Sequence, residues 1–184
     1  NGTRSNKFDG ESYLEIPSHV VPFAQRPWMK SAEITDAMIE AVKSGKYNTL
    51  RCNFPNGDMV GHTGSLRAAT MAVEAVDLGL ARLLPVIDAM GGVAIITADH
   101  GNADEMYDVD KKTGLPKTNK DGSIKAKTSH TLNPVPCILY DNVTGGRLSL
   151  KDGSWGLSNL AATTANLLGF EKHESWDASM LLIK

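Results

Sequence analysis

The chain has 184 residues, 41% of them hydrophobic, and 19 basic against 21 acidic side chains leave a formal net charge of −2. That is enough apolar material for one buried core, and too even a charge balance for the basic footprint of a nucleic-acid or anionic-lipid binder. No apolar run approaches the roughly 18 residues a membrane helix needs; no signal-peptide pattern opens the chain, and two isolated cysteines suit a reducing compartment better than a disulfide.

The opening stretch Asn1-Gly2-Thr3-Arg4-Ser5-Asn6 lacks Met and reads as the middle of a loop, so the chain is expected to be a portion of a longer polypeptide. Ser31 is placed to cap a helix over about 32–44, with Glu33 in its first turn and Gly45 as its stop. Thr49-Leu50-Arg51-Cys52-Asn53-Phe54 reads as a strand, followed by the turn-forming Pro55-Asn56-Gly57. From Ser65 to about Met90, the apolar residues Met71, Val76, Leu80, Leu83, Leu84 and Ile87 fall close to helical spacing. Pro85 is expected to kink that helix or end its regular part at Leu84, because proline removes one backbone hydrogen bond.

Gly92-Val93-Ala94-Ile95-Ile96 reads as a buried parallel strand. The segment from Asp108 to Ser129, rich in Lys, Gly, Asp, Asn and Thr, cannot bury a core and predicts a surface loop or small hairpin, with Lys111-Lys112 on a solvated face. Cys137-Ile138-Leu139-Tyr140 is a further strand, and a last helix is expected from Gly156 to Leu168 with Gly169 as its cap. Cys52 and Cys137, each inside an apolar run, read as buried strand residues. Alternating helices and apolar strands predict an α/β layer fold with a largely parallel sheet, and there is no internal repeat.

Two residue pairs carry chemistry. Asp58 and His62 stand four apart, and Asp99 and His100 are adjacent at the end of an apolar strand, where ligands of open α/β sheets gather. Carboxylate oxygen mixed with imidazole nitrogen is the donor set that zinc, manganese or cobalt accepts, so the two clusters together suggest a two-metal site for phosphate chemistry. Alone, an Asp and a His four apart, as Asp58 and His62 are, are more often a helix-surface pair or a cap than a ligand set. His130, just before the strand that begins at Cys137, can complete a site with Asp58 and His62, or can be a turn residue bonded to backbone. His19 and His173 have no ligand-type neighbours at suitable spacing.

Three stretches together resemble one family. They are Asn53-Phe54-Pro55-Asn56-Gly57-Asp58-Met59-Val60-Gly61-His62-Thr63-Gly64, Ile96-Thr97-Ala98-Asp99-His100-Gly101-Asn102-Ala103-Asp104-Glu105 and His130-Thr131-Leu132-Asn133-Pro134-Val135-Pro136. In this order they resemble the carboxy-terminal part of cofactor-independent phosphoglycerate mutase, of the alkaline phosphatase superfamily. The resemblance covers essentially the whole chain, and the long loop from Asp108 to Ser129 is more like the plant and kinetoplastid branch than the compact bacterial one. It implies the alkaline-phosphatase-like three-layer α/β fold, with this chain forming the carboxy-terminal portion of the metal-binding domain.

The same resemblance implies two divalent ions, Mn, Co, Zn or Mg, and no 2,3-bisphosphoglycerate. Asp58, His62 and His130 would match the ligands of one ion, and Asp99 and His100 two ligands of the other. A further aspartate, the nucleophilic serine, a lysine and an inserted phosphotransferase domain would lie outside these residues. A cytoplasmic monomer that interconverts 3-phosphoglycerate and 2-phosphoglycerate through a phosphoserine is the expectation, its partners being the rest of the polypeptide and the small substrate. A related phosphatase, phosphodiesterase or phosphopentomutase stays open, as does a metal-binding module without catalysis. No serine here reads as the nucleophile: Ser65 looks like a helix cap and Ser129 like a turn residue.

Overall fold

The computed structural model describes residues 7–184, so the opening Asn-Gly stretch lies outside the described residues. Its first regular element after a 3-10 turn at Phe23–Gln25 is helix α1, Ser31–Lys43. Ser31 is the first helical residue, not the cap: its hydroxyl donates to the Trp28 carbonyl at 2.9 Å. Gly45 closes the helix at φ +62°, the left-handed geometry that favours glycine after a helix end.

The expected strand at 49–54 has no ladder partner among the described residues, although its exposure still alternates residue by residue. A strand is made by its neighbour's hydrogen bonds, and alternation alone does not supply them. The expected turn at Pro55-Asn56-Gly57 opens instead into the short helix α2, Asn56–Gly61, with Pro55 at its N-cap position. Helix α3, Leu66–Ala89, begins where Ser65 accepts a bond from the Ala68 amide at 3.3 Å. It continues through Pro85 rather than ending at Leu84. One missing bond near the end of a 24-residue helix is tolerated when the rest of the ladder is intact.

Helices α1 and α3 pack closely. Thr35 is fully buried and donates to the Ser31 carbonyl at 2.7 Å, and a Cβ at Gly79 would lie 2.6 Å from its hydroxyl. Gly79 is therefore the residue that lets the two backbones approach. Val60 of α2 and Ala68 and Ala72 of α3 form a core cluster with Met29, flanked by Phe23 and Met59. The buried Asn56 ties α2 to this core by donating to the Pro27 carbonyl at 3.1 Å.

Among the described residues, four short strands accompany these helices. β1 (Ala94–Thr97) pairs antiparallel with β2 (Cys137–Tyr140), and β3 (Leu148–Leu150) pairs antiparallel with β4 (Leu181–Ile183). The α/β class holds, but both ladders among the described residues are antiparallel, and β1 is half-buried where a buried parallel strand was expected. Neither β3 nor β4 was expected, since three residues are too few to show a period.

Helix α4, Asn159–Leu167, is shorter than its predicted range and is closed by Gly169 at φ +82°. It is fastened to the chain before β4 by two buried polar side chains. Asn159 donates to the Ala178 carbonyl at 2.8 Å, and Thr163 accepts from the Met180 amide at 2.9 Å. The segment from Asp108 to Ser129 is a ragged hairpin with isolated bridges at Tyr107 and Ala126, Val109 and Pro116, and Thr118 and Ile124. Cys137 lies in β2 and Cys52 in the unpaired stretch; both are free and half-buried, and burial pushes the Cys52 thiol up. No described helix is long and apolar enough to cross a membrane.

Candidate metal centre

The antiparallel register explains why the chemistry-bearing residues meet. Thr97 at the carboxyl end of β1 stands opposite Cys137 at the amino end of β2. The residues that leave β1 therefore run beside those that enter β2, and a bridge between Gly101 and Thr131 extends the contact. His100 and His130 are delivered to one place, their rings stacked at 3.7 Å and 17°. Gly101 has to be glycine there, because a Cβ would fall 2.1 Å from the Thr131 hydroxyl and 2.6 Å from an Asp104 carboxylate oxygen.

The third contributor is α2. Asp58 lies in its first turn and His62 at its C-cap, one helical turn apart, so both side chains leave the same face. Asp58 Oδ1 lies 3.1 Å from His62 Nε2 and 3.0 Å from His130 Nε2, and the two nitrogens are themselves 3.1 Å apart. These three residues form the one group of three possible metal donors found among the described residues. His100 is beside the triangle, its Nδ1 4.0 Å from Asp58 Oδ1. Asp99 is not: its side chain is 85% exposed and its nearest partner is His100 Nε2 at 3.6 Å.

The donor chemistry of the triangle fits a cation. His62 Nδ1 faces the Thr128 carbonyl at 2.6 Å, and a carbonyl only accepts, so that nitrogen carries the proton. In the neutral ring, Nε2 then presents a lone pair, which is the usual way a second partner fixes a metal-binding histidine. That lone pair, the Asp58 carboxylate and His130 Nε2 converge at about 3 Å. A cation between them would accept a lone pair from all three. A tetrahedral ion with bonds of about 2.1 Å sets its ligands about 3.4 Å apart, close to this triangle.

Residues that sequence reasoning did not single out hold the centre. Asn102, 5% exposed, donates its amide to Asp58 Oδ1 at 2.7 Å and to the Asp58 carbonyl at 3.1 Å. The approach is so close that a Cβ on Gly61 would sit 2.3 Å from the other atom of the same amide, Asn102 Oδ1. Behind His130, Asp104 accepts from the Asn133 amide at 2.6 Å and from the Thr131 hydroxyl at 3.0 Å. Burial pushes the Asp104 carboxyl up, but these hydrogen bonds outweigh it and hold the group below its ordinary value. Asn102 and Asp104 both lie within the stretch that begins Asp99-His100. Their signal was position beside ligands; amides and outer carboxylates carry no ligand pattern of their own.

An open cleft of about 320 Å³ adjoins the centre, with Thr97, Asp99, His100, Asn133, Trp155 and Met180 among its lining residues. Asp99 and His100 therefore face a space large enough for a small anion or metabolite, next to the three-donor triangle.

Relatives of known name place this geometry in context. The chain is 47% identical to the 2,3-bisphosphoglycerate-independent phosphoglycerate mutase of Trypanosoma brucei brucei over 98% of its own length, which is 33% of that protein. It is 41% identical to a probable enzyme of the same name from Arabidopsis thaliana, with the same two coverages. A crystal structure of Leishmania mexicana phosphoglycerate mutase, described as obtained at low cobalt concentration, superposes with a TM-score of 0.94 at 48% identity. That match covers the whole of this chain and 34% of the other. The chain thus spans about a third of the length of the proteins it matches. The sequence model of the Metalloenzyme superfamily matches residues 1–172, and the chain belongs to that family.

Proposed function

We propose that this chain is the carboxy-terminal part of a metal-dependent phosphoglycerate mutase, which interconverts 3-phosphoglycerate and 2-phosphoglycerate. The observation that carries the reading is the convergence of Asp58 Oδ1, His62 Nε2 and His130 Nε2 within about 3 Å, in a chain 47% identical to a mutase. Asp58, His62 and His130 hold one divalent ion. Asp99 and His100 supply two donors to a second, whose remaining donors, with the serine nucleophile and the phosphotransferase domain, come from sequence beyond these residues. Bound there, such ions supply Lewis-acid charge that makes a hydroxyl nucleophilic near neutral pH and neutralises phosphoryl oxygens.

The residues of this chain do the positioning. The Thr128 carbonyl fixes the His62 tautomer, the His100 ring braces His130 by stacking, and Asp104 with Asn133 and Thr131 steadies the turn that carries His130. The cleft beside Asp99 and His100 receives the phosphoryl group, and the phosphotransferase domain closes over it to keep water from intercepting the transfer. The protein acts as a cytoplasmic monomer without 2,3-bisphosphoglycerate.

The test is an assay of the protein containing this chain with 3-phosphoglycerate, in buffer free of 2,3-bisphosphoglycerate, before and after chelation and readdition of manganese or cobalt. The reading expects 2-phosphoglycerate that disappears on chelation and returns with metal. Inorganic phosphate in its place would assign a phosphatase of the same family. Residues 1–184 expressed alone are expected to bind metal and to turn over nothing, because the nucleophile is supplied elsewhere.

A further inference from the structure

The buried amide of Asn102 has an unusual set of contacts. Both of its donor contacts go to Asp58, one to the backbone carbonyl at 3.1 Å and one to Oδ1 at 2.7 Å, the same oxygen that faces His62 and His130. Its acceptor, Oδ1, is buried without a hydrogen-bond partner. An amide that leaves one end unsatisfied in order to place the other on a carboxylate is held there by its surroundings. Gly61 is the surrounding that matters, since the Asn102 amide lies where a Cβ on residue 61 would project.

We infer that Asn102 is a positioning residue that orients Asp58 toward the ion, and that Gly61 is glycine so that the amide can reach it. The inference rests on the reading of Asp58, His62 and His130 as a ligand set. A carboxylate on a helix has two rotatable bonds and two equivalent oxygens. Fixing both its main chain and one oxygen leaves a single orientation in which it meets the two imidazoles. Hydrogen-bonded partners of metal ligands typically contribute 10- to 100-fold to affinity, by about this route.

The test is cobalt(II) titration of the metal-free protein, followed by the visible absorption of the bound ion, which reports coordination geometry and affinity without turnover. Asn102→Ala is expected to weaken cobalt binding about 10- to 100-fold and to change the band shape, with the thermal midpoint of the metal-free protein as control. Gly61→Ala keeps every polar group but displaces the amide, so it should produce the same spectral change and a loss of similar size. In the double variant the added methyl has nothing to displace, so the loss should be no greater than for Asn102→Ala alone. That non-additivity is a signature that simple destabilisation would not give.

His62→Ala serves as the reference. If it abolishes cobalt binding while Asn102→Ala and Gly61→Ala keep wild-type affinity and spectrum, the role of Asn102 is refuted and the ligand set stands. If His62→Ala leaves cobalt binding intact, the ligand set itself fails and the inference fails with it. Should Asn102→Ala not fold, Gly61→Ala decides alone: wild-type affinity and spectrum overturn the proposal, and a weakened, altered site supports it.

Discussion

The candidate centre and the lysine-rich hairpin are both polar regions that open to solvent, yet they are held together in opposite ways. In the centre, bonds span long stretches of chain: Asn102 to Asp58 across 44 residues, His62 to Thr128 across 66 and Thr131 to Asp104 across 27. In the hairpin they are mostly local. Asp110 accepts from the Lys112 and Thr113 amides at 2.8 and 3.0 Å, and Asp121 from the Ser123 amide at 3.0 Å, which are self-closing Asx turns. A locally bonded loop can change with little consequence beyond itself. A loop closed by remote partners fixes chemistry only while every partner is in place.

The largest effect should come from breaking the remote set at its ligands. Asp58→Ala, His62→Ala and His130→Ala are each expected to lower affinity for cobalt or manganese by more than the ~10- to 100-fold typical of outer partners. Isothermal titration of the metal-free protein measures this. Equal loss for all three would sharpen the contrast with the hairpin, and wild-type affinity in any one would remove that residue from the set.

Next comes the junction that brings His100 and His130 together. Gly101→Ala would press a methyl group into the buried Thr131 hydroxyl and the Asp104 carboxylate, which are hydrogen-bonded to each other. Overpacking of this kind costs about 1–3 kcal/mol, so the urea midpoint should fall and metal affinity with it. An unchanged midpoint would mean that the loop after β1 yields as easily as the hairpin does, and the comparison would break.

How much of this was legible in the sequence follows the same divide. Helix α3 was visible because its apolar spacing is local, α1 and α4 because cap and stop residues such as Gly45 and Gly169 are local, and β1 and β2 because apolar runs between turn residues are local too. Residue type marked Asp58 and His62 at helical spacing, and His130 before a strand, as candidates; grouping the three on one ion came from the family resemblance, and their convergence at about 3 Å is what the structure adds. What sequence reasoning missed depends on distance in space. Asn102 carries no metal-ligand signal, and Gly61 has a meaning only once Asn102 is seen against it. The strand expected at 49–54 fails for the same reason, since a ladder belongs to two segments and only one was in view. The turn at Pro55-Asn56-Gly57 misled through strong local turn chemistry, which the burial of Asn56 and Val60 overrode in favour of α2.

A smaller effect is expected where the α3 cap adjoins the centre. Ser65 accepts from the Ala68 amide at 3.3 Å, a long bond, and it follows His62 by three residues. Ser65→Ala should cost about 1 kcal/mol or less in urea unfolding, the low side of the range for helix caps. Metal affinity should stay unchanged, because His62 is fixed by Thr128 and not by the cap. A loss of affinity would show that the start of α3 also holds the ligand face of α2.

The smallest effect belongs to the hairpin itself. The Lys125 and Lys117 ammonium groups, at 2.8 and 3.1 Å, hold the partly exposed Asp108 carboxyl below its ordinary value of 3.8. A group whose folded value is depressed contributes stability that is present above its ordinary value and is lost as pH falls through the lower, folded one. Because these side chains stand in water, screening should leave that contribution too small to move the unfolding midpoint measurably at neutral pH. Replacing both lysines by Ala should bring the Asp108 titration, followed by carboxyl-carbon NMR, back up toward 3.8. Cobalt affinity should not change, since the hairpin residue bonded to a proposed ligand is Thr128, through its carbonyl, while the Lys117 and Lys125 side chains pair with Asp108. If the double lysine variant weakened cobalt binding, the hairpin would have to be counted among the remote partners of the metal centre, and the distinction between the two regions would fall.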